Sequence, residues 1–104
     1  MSAPDNQRHL QPPQAIDAER AVLGSILKHP EAVDRVVDVL GDPVDFYSPK
    51  HQLIYRAVLD LYEANEPIDI TTVVSYLEQR NRLKDIGGRV YLVELVEDIA
   101  STAN

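Results

Sequence analysis

An all-α fold, a compact bundle of about five to six helices around a central helix from Ser48 to Ala64, follows from three observations. Apolar residues recur at i, i+3, i+4, i+7 in one stretch after another. Proline, serine, aspartate and glycine stand at the joints between those stretches, where helices start and stop. One stretch, Asp45 to Asn65, holds four of the six aromatic residues, Phe46, Tyr47, Tyr55 and Tyr62. At 104 residues the chain is one domain, long enough to bury a single apolar core without disulfide staples.

Residues 1–13 carry Pro4, Pro12 and Pro13, are otherwise mostly polar, and lack apolar periodicity. They read as a flexible arm ahead of a helical domain over 14–104. The first helix is expected from about Ala15 to Lys28, with Ala15, Ala18, Val22 and Ile26 inward and Ile16, Leu23 and Leu27 beside them. Asp17 and Glu19 are expected in its first turn, where carboxylates suit the positive end of the helix dipole. Gly24 costs roughly 1 kcal/mol against alanine inside a helix, so close approach of another helix at Gly24-Ser25 is the expected compensation.

Pro30 opens a second helix carrying Val33, Val36, Val37 and Leu40, with Gly41 as a left-handed terminator and Glu31 spaced to pair with Arg35. Ser48-Pro49 then starts the central helix: the serine hydroxyl is expected to accept a free backbone N–H, and proline at the first position forfeits no bond. Ile54, Ala57, Val58 and Leu61 form its main stripe, widened by Leu53, Tyr55, Leu59 and Tyr62, so that neighbours are needed on several sides.

Glu66-Pro67 ends that helix. Asp69 is placed as the next N-cap, with Ile68 and Val73 spaced as a hydrophobic staple. The β-branched residues from Ile70 onward suit a strand, but Ile70, Val73, Val74 and Leu77 keep helical spacing and no partner strand exists, so the segment reads as helix. Leu83 to Gly88 is a turn that tucks Leu83 and Ile86 into the core. The last helix is expected over about Arg89 to Ala100, with Leu92, Val93, Val96 and Ile99 inward and Glu94, Glu97 and Asp98 toward water. Ser101 to Asn104 carries no folding signal, which reads as a chain cut short.

Composition narrows the function. There is no cysteine, hence no disulfide framework and no thiolate metal site. No apolar run reaches the roughly 18 residues of a membrane span, and no secretory core stands at the N-terminus; a cytoplasmic protein with no membrane partner is expected. The net charge is −7, spread over both halves. Such a surface repels phosphate backbones, so partners are expected to be proteins rather than nucleic acid.

Candidate chemistry is sparse. The phosphate-cradling G-x-x-x-x-G-K-[ST] pattern is absent, and Gly87-Gly88-Arg89 is read as a turn rather than a substitute. His9, His29 and His51 are too scattered for a local metal site. His51, in the first turn of the central helix, reads as a packing or capping residue because no carboxylate is clearly paired with it. Glu94, Glu97 and Asp98 share a face that would suit a hard cation, but a solvated face explains them more simply. Arg80, Arg82, Lys84 and Arg89 are the only local concentration of positive charge; an ordinary solvated turn is weighed against contact with nucleic acid or an acidic protein, and no aromatic platform accompanies them. The residues alone describe an acidic helical module that binds rather than catalyses, with no catalytic, cofactor or metal site. Arg80, Arg82, Lys84, Arg89, Glu94 and Glu97 are its interface candidates.

An ordered series of short pieces carries a resemblance. It runs through Pro12-Pro13-Gln14, Ile16, Ala18-Glu19 and Val22-Leu23-Gly24-Ser25-Ile26-Leu27. It continues with Asp45-Phe46-Tyr47, His51, Ile54-Tyr55, Leu61-Tyr62, Pro67-Ile68-Asp69, Val73, Leu77, Gly87-Gly88, Tyr91-Leu92 and Thr102-Ala103-Asn104. In this series the chain resembles the N-terminal domain of the bacterial DnaB-type replicative DNA helicase, from Pro12 to its end. The resemblance implies an all-α head in the collar of a hexameric ring, followed in the family by a helical hairpin and a RecA-like motor that binds ATP and magnesium and moves on single-stranded DNA. Hairpin and motor are absent from these residues, so no hydrolytic residue, ATP or magnesium site is carried onto them. Self-association (weak here, hexameric in the parent) and contacts with primase and helicase loader are implied. A primase helicase-binding domain, which has a related helical architecture, and a stand-alone adaptor or small enzyme are the alternatives.

Overall fold

A helix from Pro13 to Lys28, α1, opens the computed structural model, which describes residues 13–102 and the side chains of 15–99. The expected arm lies outside these residues apart from Pro13. Proline fixes φ at a helical value and lacks only an N–H that a first turn leaves unbonded, so α1 starts two residues earlier than the apolar pattern suggests. Its first turn therefore contains no acidic residue, and Asp17 and Glu19 sit further along, contrary to expectation.

After a 3₁₀ turn at Pro30–Ala32 comes α2, Val33–Val39. Gly41 does not terminate it, for its φ is not positive. The helix closes instead at Leu40, whose N–H donates to the Val36 carbonyl at 2.7 Å and whose carbonyl accepts from the Tyr55 hydroxyl. Nor does Glu31 pair with Arg35: Glu31 lies 3.7 Å from His29, because the 3₁₀ turn breaks the spacing that an α-helix would have provided.

A second 3₁₀ turn, Pro43–Asp45, leads to α3, Pro49–Glu63. Its buried residues are His51, Ile54, Tyr55, Ala57, Val58 and Leu59, and it packs against α1, α4, the Pro43–Asp45 turn before it and the distant 3₁₀ turn at Lys84–Ile86. Asn65, at φ 58°, turns the chain out of it. The expected Asp69 cap is present: Asp69 Oδ1 accepts from the Thr72 N–H at 2.8 Å and Thr72 Oγ1 accepts from the Asp69 N–H at 2.9 Å. This reciprocal box begins α4, Ile70–Gln79, so the β-branched run is helical. Val73, Val74 and Leu77 are buried on its inner face, with Ile68 buried just before the cap.

A third 3₁₀ turn, Lys84–Ile86, buries Ile86 completely. Gly87 and Gly88 follow at φ 98° and 77°, a conformation that side-chain-bearing residues rarely adopt. They redirect the chain into α5, Gly88–Thr102. Leu92 and Leu95 are its fully buried residues; Leu95 is absent from the expected inward set, of which Val96 packs against the core only in part and Val93 is half-buried. Among the described residues there are five α-helices and no strand.

The most extensive helix pairing joins α1 to α5, and Gly24 permits it. A Cβ placed there would stand 2.3 Å from the Leu95 carbonyl oxygen and 2.8 Å from Ile99 Cγ1, so only glycine lets the backbones meet. Around that contact Leu23, Ile26, Ile54, Val58, Leu92 and Leu95 are fully buried, each aliphatic side chain contributing about 1.5–3 kcal/mol by leaving water.

Candidate functional site

Two groups of polar side chains stand out. The first lies inside the bundle, where α1, α3 and α5 meet. Glu19 accepts from the backbone N–H of Tyr47 and, at 3.3 Å, of Ser48. These N–H groups precede α3, so a carboxylate from a neighbouring helix serves its positive end. Ser48 is the N-cap residue, but its hydroxyl makes no capping bond; the expected local cap is replaced by one from α1.

The same carboxylate reaches His51. Nδ1 of His51 lies 2.7 Å from Glu19 Oε1, and Nε2 lies 2.6 Å from the Tyr91 hydroxyl. His51 is completely buried. An ionised carboxylate only accepts, so Nδ1 carries the proton and Nε2 accepts from Tyr91. Arg20 donates to the Tyr91 oxygen at 3.2 Å and bonds Asp98 on α5. Lys50 Nζ stands 3.8 Å above the Tyr91 ring. No described buried side-chain polar atom lacks a partner.

Burial is the main influence on the His51 ring and pushes its proton affinity below the ordinary value; Glu19 pulls the other way, while Lys50 and Arg20 add to the lowering. Complete burial wins over the single carboxylate, and His51 is neutral at pH 7. Tyr91 is raised, chiefly by burial, against the opposing pull of Arg20. A carboxylate–imidazole–hydroxyl series is the arrangement that activates nucleophiles elsewhere. Here the terminal oxygen is a buried phenol already engaged by Arg20, and four surface hollows of about 200–440 Å³ among the described residues are lined by other residues. The group joins helices. Local spacing in the sequence offers no carboxylate for His51; the partner stands 32 residues away.

The second group is the turn between α4 and α5. Arg80 lies over the Tyr76 ring at 3.6 Å and donates to the Tyr76 carbonyl at 3.2 Å, so one cation does have an aromatic partner, contrary to expectation. Arg82 bonds Asp85 at 2.9 Å, a half-exposed pair contributing a few tenths of a kcal/mol. Lys84 borders a hollow shared with Glu78, Asn81 and Leu83. Arg89 is exposed at the start of α5, with Val90 uncovered beside it. Glu94 and Glu97 are exposed further along α5, and no described ion pair links them to the cations. Asp98, grouped with them by spacing, instead pairs with Arg20. Among the described residues no three acidic or histidine side chains are placed to hold a metal, and no helix is long and apolar enough to cross a membrane.

The family model described as "DnaB-like helicase N terminal domain" matches residues 11–104. The chain belongs to that family. As a DnaB-like N-terminal domain it is 43% identical over 93 residues to the replicative DNA helicase DnaB of Rhodothermus marinus, covering 89% of this chain and 10% of that protein. It is equally 43% identical to the replicative DNA helicase DnaC of Bacillus subtilis, covering 89% and 20%. The crystal structure of the N-terminal domain of DnaB helicase from Mycobacterium tuberculosis superposes with a TM-score of 0.78 at 46% identity, over 84% of this chain and 60% of that one. The chain thus spans between a tenth and a fifth of the length of these two curated relatives.

Proposed function

We propose that this DnaB-like domain is the assembly and docking head of a hexameric replicative helicase. It builds the collar, in pairs of heads around a threefold axis, and couples the ring to primase and loader proteins. ATP and magnesium, and the grip on single-stranded DNA, belong to a motor domain outside these residues; the head itself is not catalytic. The observation that carries this reading is the match along residues 11–104 to relatives named as replicative DNA helicases. The internal network, in which no described buried side-chain polar atom lacks a partner, supports a rigid scaffold over an active site. The exposed cations Arg80, Arg82, Lys84 and Arg89, with Glu94 and Glu97, are proposed contacts to neighbouring heads or partners.

The test compares the full-length parent with a form lacking residues 1–104. Light scattering is expected to show loss of the uniform hexamer, and primase stimulation is expected to fall. An unchanged hexamer together with unchanged stimulation overturns the reading.

A further inference from the structure

A groove of about 440 Å³ runs between the Pro43–Asp45 turn, the first half of α3 and the α4–α5 turn, with Pro43, Val44, Pro49, Leu53, Arg56 and Arg82 among its walls. Its apolar side is bare: Val44 is 69% exposed. The other polar groups of its wall are engaged internally. Asp42 accepts from the Val44 N–H at 2.9 Å, and Gln52 donates to the Phe46 carbonyl at 2.7 Å. Two guanidinium groups remain. Arg82 gives one N–H to Asp85 at 2.9 Å, and Arg56 stands 3.9 Å from Asp60, whose other oxygen accepts from Tyr76. Both side chains are about half exposed. A guanidinium carries five N–H donors, so each has most of its fork unspent.

We propose that this groove receives an extended acidic–apolar segment of a partner protein, with its carboxylates on Arg56 and Arg82 and an apolar side chain against Pro43, Val44 and Leu53. Charge complementarity argues for that occupant. The groove wall sets the two cations Arg56 and Arg82 against the single carboxylate of Asp42, and Arg82 belongs to the stretch 80–89, which holds four of the ten cations of the chain and one of its seventeen acidic residues. The planar forks of arginine match carboxylates in pairs. A nucleic acid strand fits less well: no aromatic ring lines the groove for bases to stack on, and a net charge of −7 opposes a long polyanion. The proposal does not depend on the place of the head in a ring.

The test titrates the ¹⁵N-labelled 104-residue chain with a short peptide alternating Asp or Glu with Leu. Saturable shifts are expected at Val44, Leu53, Arg56 and Arg82. Arg56→Glu and Arg82→Glu are each expected to weaken binding about tenfold, and replacing Leu by Ser in the peptide to weaken it similarly. Lys28→Glu, the same charge change at the end of α1, leaves it unaltered, and circular dichroism verifies that each variant is folded. Equal binding of a Lys-for-Asp peptide, shifts confined to another surface, no saturable binding, or tighter binding of oligothymidylate in the same groove each overturns the proposal.

Discussion

Glu19 of α1 and His51 of α3 share a bond of 2.7 Å inside the bundle, and that bond fixes both the start of one helix and the ring of the other. Because the carboxylate also accepts the N–H groups of Tyr47 and Ser48, helix entry and helix packing depend on one side chain.

Tyr91→Phe removes the donor to His51 Nε2 and the acceptor for Arg20 while keeping the ring. A buried nitrogen left without its partner costs about 1–3 kcal/mol. Urea unfolding monitored by far-UV circular dichroism is expected to show that loss with little change in the slope against denaturant.

Stability is expected to fall in mild acid through His51. The ring stays neutral when folded, mainly because it is buried, whereas in the unfolded chain it binds a proton below its ordinary value of 6.5. The unfolded state therefore takes up the extra proton as pH drops. This contribution is complete above 6.5 and diminishes on descent from 6.5 toward the lowered folded value. Urea titrations at several pH values are expected to show it in the wild type. In His51→Gln that component of the pH slope disappears; an identical slope in the variant refutes the assignment.

Gly24→Ala would improve helix propensity, yet the added carbon meets the Leu95 carbonyl oxygen at 2.3 Å. The atom met first is backbone, so α1 and α5 must separate. A net destabilisation of about 1–3 kcal/mol is expected, read as a lower thermal midpoint. Gly41→Ala, where the nearest atom is 3.7 Å away and φ is not positive, serves as the neutral comparison.

Asp69→Ala dissolves the reciprocal box with Thr72 and is expected to cost about 1 kcal/mol. Asp69→Asn, which keeps an acceptor, restores most of it. Hydrogen exchange at the start of α4 reports the same loss locally.

Local rules carried most of the fold. The Asp69 cap, the helical spacing of Ile70 to Leu77 and the glycine pair at 87–88 are each decided within a few residues, and the structure follows them. Gly24 was legible for a different reason: a glycine inside a helical stripe has a cost that only close packing explains. What escaped was set by tertiary geometry. Glu19 was read as serving its own helix, and it serves α3. Gly41 had the composition of a terminator, but Tyr55 had already supplied the bond to Leu40. His51 drew notice without its partners, because Glu19 and Tyr91 lie 32 and 40 residues away and no spacing rule spans that distance. The cations of the α4–α5 turn were visible as a cluster. That Arg82 shares a groove with Val44 was not, since it depends on how α3 and α4 lie together.

The seam between α1 and α5 also bears on synthesis. Arg20 and Tyr91 touch across 71 residues, so a nascent chain leaves the α5-facing side of α1 uncovered until almost the whole domain has left the ribosome. Ribosomes stalled before Tyr91 emerges are expected to carry a chain open to proteases throughout, and those stalled well beyond Thr102 a resistant one. The side of the opening helix that faces α5 is thereby the last part of the domain to be sheltered.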